Sequence, residues 1–158
     1  MSRYQWLLFF HVTGAFLLIG GALAGAVLNV AALRRGRRPS EIALLFSLVR
    51  IPVVAIVSGS LLTLVFGLWL VHEAGYGYGD GWVLTALVLW LLGNAAGGYG
   101  GRRDDRTRQL AQELAAEGDD RSERLEARVR DPLSLALSYG SGLIMLAVLG
   151  VMIWKPGA

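Results

Sequence analysis

The sequence predicts an all-α polytopic membrane protein: a four-transmembrane-helix antiparallel bundle with a charged cytoplasmic helical hairpin between helices three and four. Three observations predict it. Residues 4–33, 51–71, 82–101 and 133–154 are each apolar and long enough to cross the ~30 Å hydrocarbon layer, which about 20 helical residues do. Hydrophobic residues make up 54% of the 158 and charged ones only 17%, a composition of the membrane class. Arg clusters flank the apolar runs on alternate sides, while four of the five Trp residues sit at the opposite ends. The whole chain, 1–158, reads as a single integral membrane domain.

The first span is too long for the ~7–15-residue apolar core of a cleaved signal peptide, so a retained helix is expected despite the small residues Ala22–Ala26. It should stop near Leu33, where Gly36 and Pro39 interrupt it. Ser40 is then placed to cap a short interfacial turn of helix over residues 41–50, and Pro52 should kink the chain as it enters the second span. Residues 73–81 alternate Gly with aromatics, a composition of mobile turns. No Lys-Ser/Thr follows that stretch, so it is not a phosphate-binding loop. Residues 102–131 are highly charged, with Leu110 and Leu114, then Leu125 and Val129, spaced as two amphipathic helices. The first should extend the third span; Asp120 with Glu123 resembles a capping box for the second. Asp131 and Pro132 read as N-cap and first residue of the fourth span.

Orientation follows from Lys and Arg in the short connections. Arg34, Arg35, Arg37, Arg38 and Arg50, and the eight Arg of residues 102–131, lie on one side. Only Arg3 and Lys155 lie on the other, beside the aromatic belt of Trp6, Trp69, Trp82 and Trp154. The Arg-rich side is therefore expected in the cytoplasm of a cell-membrane protein, with both termini extracytoplasmic. That geometry explains the net charge of +3 without nucleic acid as a partner; the lipid bilayer is the partner it predicts. With no Cys, disulfides, thiolate metal sites and thiol catalysis are excluded.

At 100° per residue, each span has one face of small or polar residues. Gly14, Gly21 and Gly25 share the first, Gly59, Thr63 and Gly67 the second, Gly93, Gly97 and Gly101 the third. Helices in lipid associate through such close-approach stripes, so bundle packing is the primary reading and a permeation path or homodimer face the alternative. Asn29, Ser58, Asn94 and Ser138 all lie one to two turns from the Arg-rich end of their spans and are expected to form one hydrogen-bonded layer.

His11 is the residue that invites chemistry, since an ionisable group within a span is a functional candidate by default. Neutral imidazole ligates haem or copper. Met145 is closest to it in depth, with Met152 a step further outward, and a His-plus-thioether set favours Cu(I). His72, the other histidine, points away from the small-residue face of its helix and reads as a solvated partner of Glu73. No Ser/His/Asp set and no carboxylate occupies a span centre, which argues against a hydrolase and against a carboxylate-based proton-coupled transporter.

The opening Leu7-Leu-Phe-Phe-His11-Val-Thr-Gly14 with its Gly20-Gly21 pair, the Gly67-Leu-Trp-Leu end of the second span and the short last span resemble the small bacterial membrane proteins catalogued as domain of unknown function 2269. The resemblance implies the four-helix architecture and puts emphasis on His11, but implies no reaction. The same His-then-Gly-Gly opening is similar to the copper-resistance D family and other small haem-associated membrane proteins, whose further His or Met positions are not matched here. Three functional classes stand: a non-enzymatic accessory or transport-related envelope component as the leading one, a haem b or copper protein using His11, and a homo-oligomeric channel or transporter.

Overall fold

The computed structural model describes residues 2–157, whose regular structure is entirely helical. The elements are α1 (Arg3–Ala32), α2 (Pro39–Leu48), α3 (Arg50–Glu73), α4 (Gly81–Glu117), α5 (Glu123–Val129) and α6 (Pro132–Trp154). Four stretches are long and apolar enough to span a membrane: α1, α2 with α3, α4, and α5 with α6. Their large apolar residues are widely exposed, as at Phe16 (76%) and Ile51 (72%); in water this surface would be untenable, and in lipid it is the solvated face.

Local chemistry sets the helix ends. Ser2 opens α1 through a reciprocal capping box, its hydroxyl accepting from Gln5 N and the Gln5 side chain accepting from Ser2 N. At the other end, Arg37 Nε donates to Ala31 O and Arg130 donates to Leu33 O, filling carbonyls that the helix leaves open. These Arg residues act as structural caps.

Pro39 does not end a helix and Ser40 does not cap one, as the sequence suggested. Arg38 is the N-cap and Pro39 the first helical residue, where its missing N–H costs nothing. The cap comes from afar: Asp119 accepts from Ser40 N at 2.8 Å and from Ser40 Oγ at 2.7 Å. Pro52 acts as the sequence suggests, as a local interruption: its ring excludes the carbonyl four residues back, that of Leu48, and α2 gives way to α3 across the single residue Val49, so that residues 39–73 run on as one long helix. Ser122, not Asp120, caps α5 by accepting from Leu125 N. The 74–80 turn is tied down: Asp80 accepts from Gly77 N, Tyr76 N donates to Val71 O, and the Tyr76 ring packs edge-on to Trp82.

The spans pack as two pairs, α1 along α3 and α4 along α6. The first pair is a backbone-to-backbone contact. A Cβ added at Gly14 would lie 2.7 Å from Thr63 N, one at Gly21 2.8 Å from Pro52 O, and one at Gly59 2.6 Å from Gly14 O; only glycine permits this approach. In the second pair Gly93 receives Met145, Gly97 lies near Ser141 and Gly100 near Leu137. Gly25 and Gly101 do not join either contact, since nothing lies within 4 Å of where their Cβ would be. The pairs meet at both ends: at the Arg-rich end α2 packs on α4 and Ala32, Ile42, Phe46, Ala111, Leu125 and Val129 bury a small apolar cluster, and at the Trp-rich end Val71 of α3 packs with Trp82 and Val83 of α4, covered by Val151 of α6.

Candidate functional site

A small cleft of mixed lining opens at the Arg-rich end among α1, α2, α4, α5 and α6. Its polar residues are Asn29, Asp104, Thr107, Arg128, Ser134, Ser138 and Tyr139, set among Leu33, Phe46, Val129 and Leu135. Asp104 reaches it because α4 continues unbroken beyond Gly101. Gly93, Gly97, Gly100 and Asp104 fall on one stripe at i, i+4, i+7 and i+11, so the glycine face that meets α6 runs directly into a carboxylate. Asp104 is half-buried and forms no ion pair among the described residues. Burial, reinforced by the neighbouring charge of Asp105, pushes its carboxyl up to about 6.

The lip of the cleft is cross-linked by hydrogen bonds. Asp131 caps α6, accepting from Ser134 N and Ser134 Oγ at 2.9 Å each, and takes Arg103 at 2.6 Å. Arg103 Nε also donates to Ser134 Oγ at 2.9 Å. The Ser134 N–H and hydroxyl, with Arg103 beside them, hold the Asp131 carboxyl below its ordinary range. Two neighbouring carboxylates thus differ: Asp131 is favoured in its charged form by Ser134 and Arg103, whereas Asp104, half-buried and beside Asp105, titrates at about 6.

The four residues expected in one polar layer separate. Asn29 and Ser138 enter the cleft. Asn94 lies apart, accepting from Ser60 Oγ at 2.9 Å and donating to Trp90 O at 2.8 Å, and so ties α3 to α4. Ser58 does not join them; partly buried, it donates to Val54 O of its own helix.

His11 sits on α3. Its Nδ1 lies 2.9 Å from Thr63 O, and its ring edge fills the notch at Gly67. A carbonyl accepts only, so Nδ1 carries the proton and Nε2 of the neutral ring holds the lone pair. Other sequence-predicted ligands lie elsewhere. Met145 packs against Gly93, and Met152 lines a cavity between α3, α4 and α6. His72 stacks on Tyr78, while its expected partner Glu73 pairs with Arg3 at 3.5 Å. Among the described residues no three His, Asp or Glu side chains group as a metal centre would require.

The family model described as predicted integral membrane protein (DUF2269) matches residues 5–156. The chain belongs to that family. No curated protein and no solved structure matches it. Membership makes this DUF2269 chain an integral membrane protein of four helices. Sequence reasoning about it passed over Asp104, Ser60 and Trp90. Asp104 was legible as the continuation of the α4 glycine stripe, but its charged surroundings assigned it to a solvated hairpin.

Proposed function

We propose that this DUF2269 protein is a non-enzymatic, transport-related component of the cell membrane. It stands as an antiparallel four-helix bundle with its Arg-rich end and the 102–131 hairpin in the cytoplasm and both termini outside. The Asp104 cleft is where it meets a small polar or cationic solute. The observation that carries this is a half-buried carboxyl without an ion-pair partner among the described residues, in a small cleft whose lining also holds Asn29, Thr107, Ser134, Ser138, Tyr139 and the guanidinium-bearing Arg128. Orientation is supported by the one-sided distribution of Arg.

The absence of Cys makes a labelling test clean. Single Cys replacements at Ser138, Ser141 and Met145 should be treated with a membrane-impermeant maleimide in inside-out vesicles. Labelling of Ser138→Cys supports an accessible cytoplasmic cleft, and labelling that continues to Met145→Cys supports a path through the bundle. Protection at all three positions overturns the reading, as would substrate turnover by the purified protein that disappears in His11→Ala.

A second reading, haem b or copper bound by His11, draws on the unprotonated Nε2 that the Thr63 carbonyl imposes. A Soret band or near-stoichiometric copper, lost in a folded His11→Ala variant, supports it. A featureless, metal-free sample from cofactor-replete cells reduces His11 to an interhelical hydrogen bond.

A further inference from the structure

The positive charge of the Arg-rich end is unevenly placed. The 102–131 hairpin carries eight Arg but nine carboxylates, whereas residues 34–50 carry five Arg against Glu41 alone. At the Trp-rich end Arg3 and Lys155 are balanced by Glu73 and Asp80. The net charge of the chain therefore resides on one edge, where α1 ends, α2 runs and α3 begins. Little there neutralises it. Glu41 is taken by Arg37 at 3.5 Å, and Asp119, which the hairpin brings to this edge, accepts twice from Ser40 and feels the charge of Arg38. Arg34, Arg35 and Arg50 are exposed and form no ion pair among the described residues. The hairpin even adds to the edge: the Arg121 guanidinium lies 3.1 Å from where a Cβ of Gly36 would be, and Arg130 donates to Leu33 O at 2.6 Å.

Exposed apolar stripes lead up to these cations. On α3, Arg50, Val54, Val57, Leu61 and Val65 follow at i, i+4, i+7, i+11 and i+15, which is one helix face, and all are exposed. Trp69, also exposed, ends that stripe. From Trp69 to Arg50 is ~28 Å of helix, close to the ~30 Å hydrocarbon thickness. With Trp69 in one interface, Arg50 stands at the opposite hydrocarbon boundary. On α1 the exposed Leu23, Val27 and Val30 share a face, and Arg34 follows just past the helix end. Each stripe is solvated by acyl chains and finishes at an unpaired guanidinium, a group suited to phosphate oxygens.

We propose that this edge binds the headgroup of an anionic phospholipid, with Arg50 reaching its phosphate at the hydrocarbon boundary, Arg34 and Arg35 adding charge from the headgroup side, and its acyl chains lying against the α3 stripe. The charge-balanced hairpin takes no part in the preference.

The test titrates purified, delipidated full-length protein in mild detergent with phosphatidylglycerol or with phosphatidylcholine of the same acyl chains, and counts bound lipid by native mass spectrometry. Phosphatidylglycerol should bind more tightly. Arg50→Gln should weaken it about fivefold, equivalent to the ~1 kcal/mol that one cation contributes at a charged membrane surface, and leave phosphatidylcholine binding unchanged. Arg34→Gln combined with Arg35→Gln should also lower the preference. Arg102→Gln and Arg106→Gln are the controls: both residues are exposed and without ion pairs among the described residues, but they lie on either side of Asp104 and Asp105. They should keep the wild-type preference. All of these changes are on the surface, so helicity and melting should stay at wild-type values. Equal binding of the two lipids by wild type overturns the inference. So does an equal loss in the control variants, which would make the preference a property of total charge, or displacement of the lipid by inorganic phosphate at matched ionic strength, which would make the ligand a free anion.

Discussion

Asp104→Asn tests whether the cleft carries a strained charge. In the folded protein burial and Asp105 hold the Asp104 carboxyl at about 6, against 3.8 for an ordinary carboxylate. The unfolded chain therefore releases its proton first as pH rises. Stability falls between those two values and stays reduced above about 6. The full penalty is about 3 kcal/mol; partial exposure to water screens it to about 1–2 kcal/mol. Asparagine keeps the size and polarity of the group but never ionises. At pH 8 the variant should melt about 2–8 °C above wild type, at roughly 2–4 °C per kcal/mol for a chain of this size. At pH 4 the two should coincide. The assay is thermal unfolding in detergent from pH 4 to 8.5, and Asp105→Asn should move the wild-type transition to lower pH. Arg128 is the cation that shares the cleft. If Asp104→Asn is less stable than wild type at pH 8, Asp104 is paired with Arg128 rather than strained, and the solute-binding argument fails with it.

Gly59→Ala places a methyl 2.6 Å from backbone atoms of α1 and should cost about 1–3 kcal/mol of melting stability, whereas Gly25→Ala meets open space and should leave stability unchanged or raise it by up to ~1 kcal/mol. The reverse order would refute the pairing of α1 with α3. A double-mutant cycle between Ser60→Ala and Asn94→Ala should return a coupling near ~0.6 kcal/mol, and a zero coupling would mean the bond does not join α3 to α4 in the membrane. Asp131→Ala should lower the melting temperature at pH 7. Because the folded carboxyl titrates below 3.8, that gap should persist above this value and close as wild type is protonated below it.

The four long apolar helices were legible because length and apolarity alone decide them, and Asp131 and Pro132 announced the start of α6 correctly. What a single helix's periodicity lacks is the direction of its neighbours. Ser58 and Ser60 sit 100° to either side of Gly59, so the sequence offers both equally; the position of α4 makes Ser60 the buried one. Asn94 likewise turns from Gly93 toward α3 while Gly93 itself faces α6. Caps supplied across the chain were invisible for a related reason: Asp119 reaches Ser40 over 79 positions, and no local motif encodes such a partner. Asp104 differs, since its stripe was readable and only its charged context concealed it.

The apolar cluster at the Arg-rich end has a mechanical consequence. Ala32, Ile42, Phe46, Ala111, Leu125 and Val129 join α1 and α2 to α4 and α5, and there burial expels water. Along the spans the displaced solvent is lipid, as apolar as the side chains themselves, and contributes no such force. The two helix pairs, α1 with α3 and α4 with α6, are therefore held at their two ends by different forces: a water-driven cluster at the Arg-rich end, and at the Trp-rich end a second apolar cluster in which Val71 of α3, Trp82 and Val83 of α4 and Val151 of α6 pack together. Cooling weakens the first while the glycine contacts within each pair remain, so the helix pairs loosen first at the Arg-rich end, with the Ser60 to Asn94 bond between the two anchors.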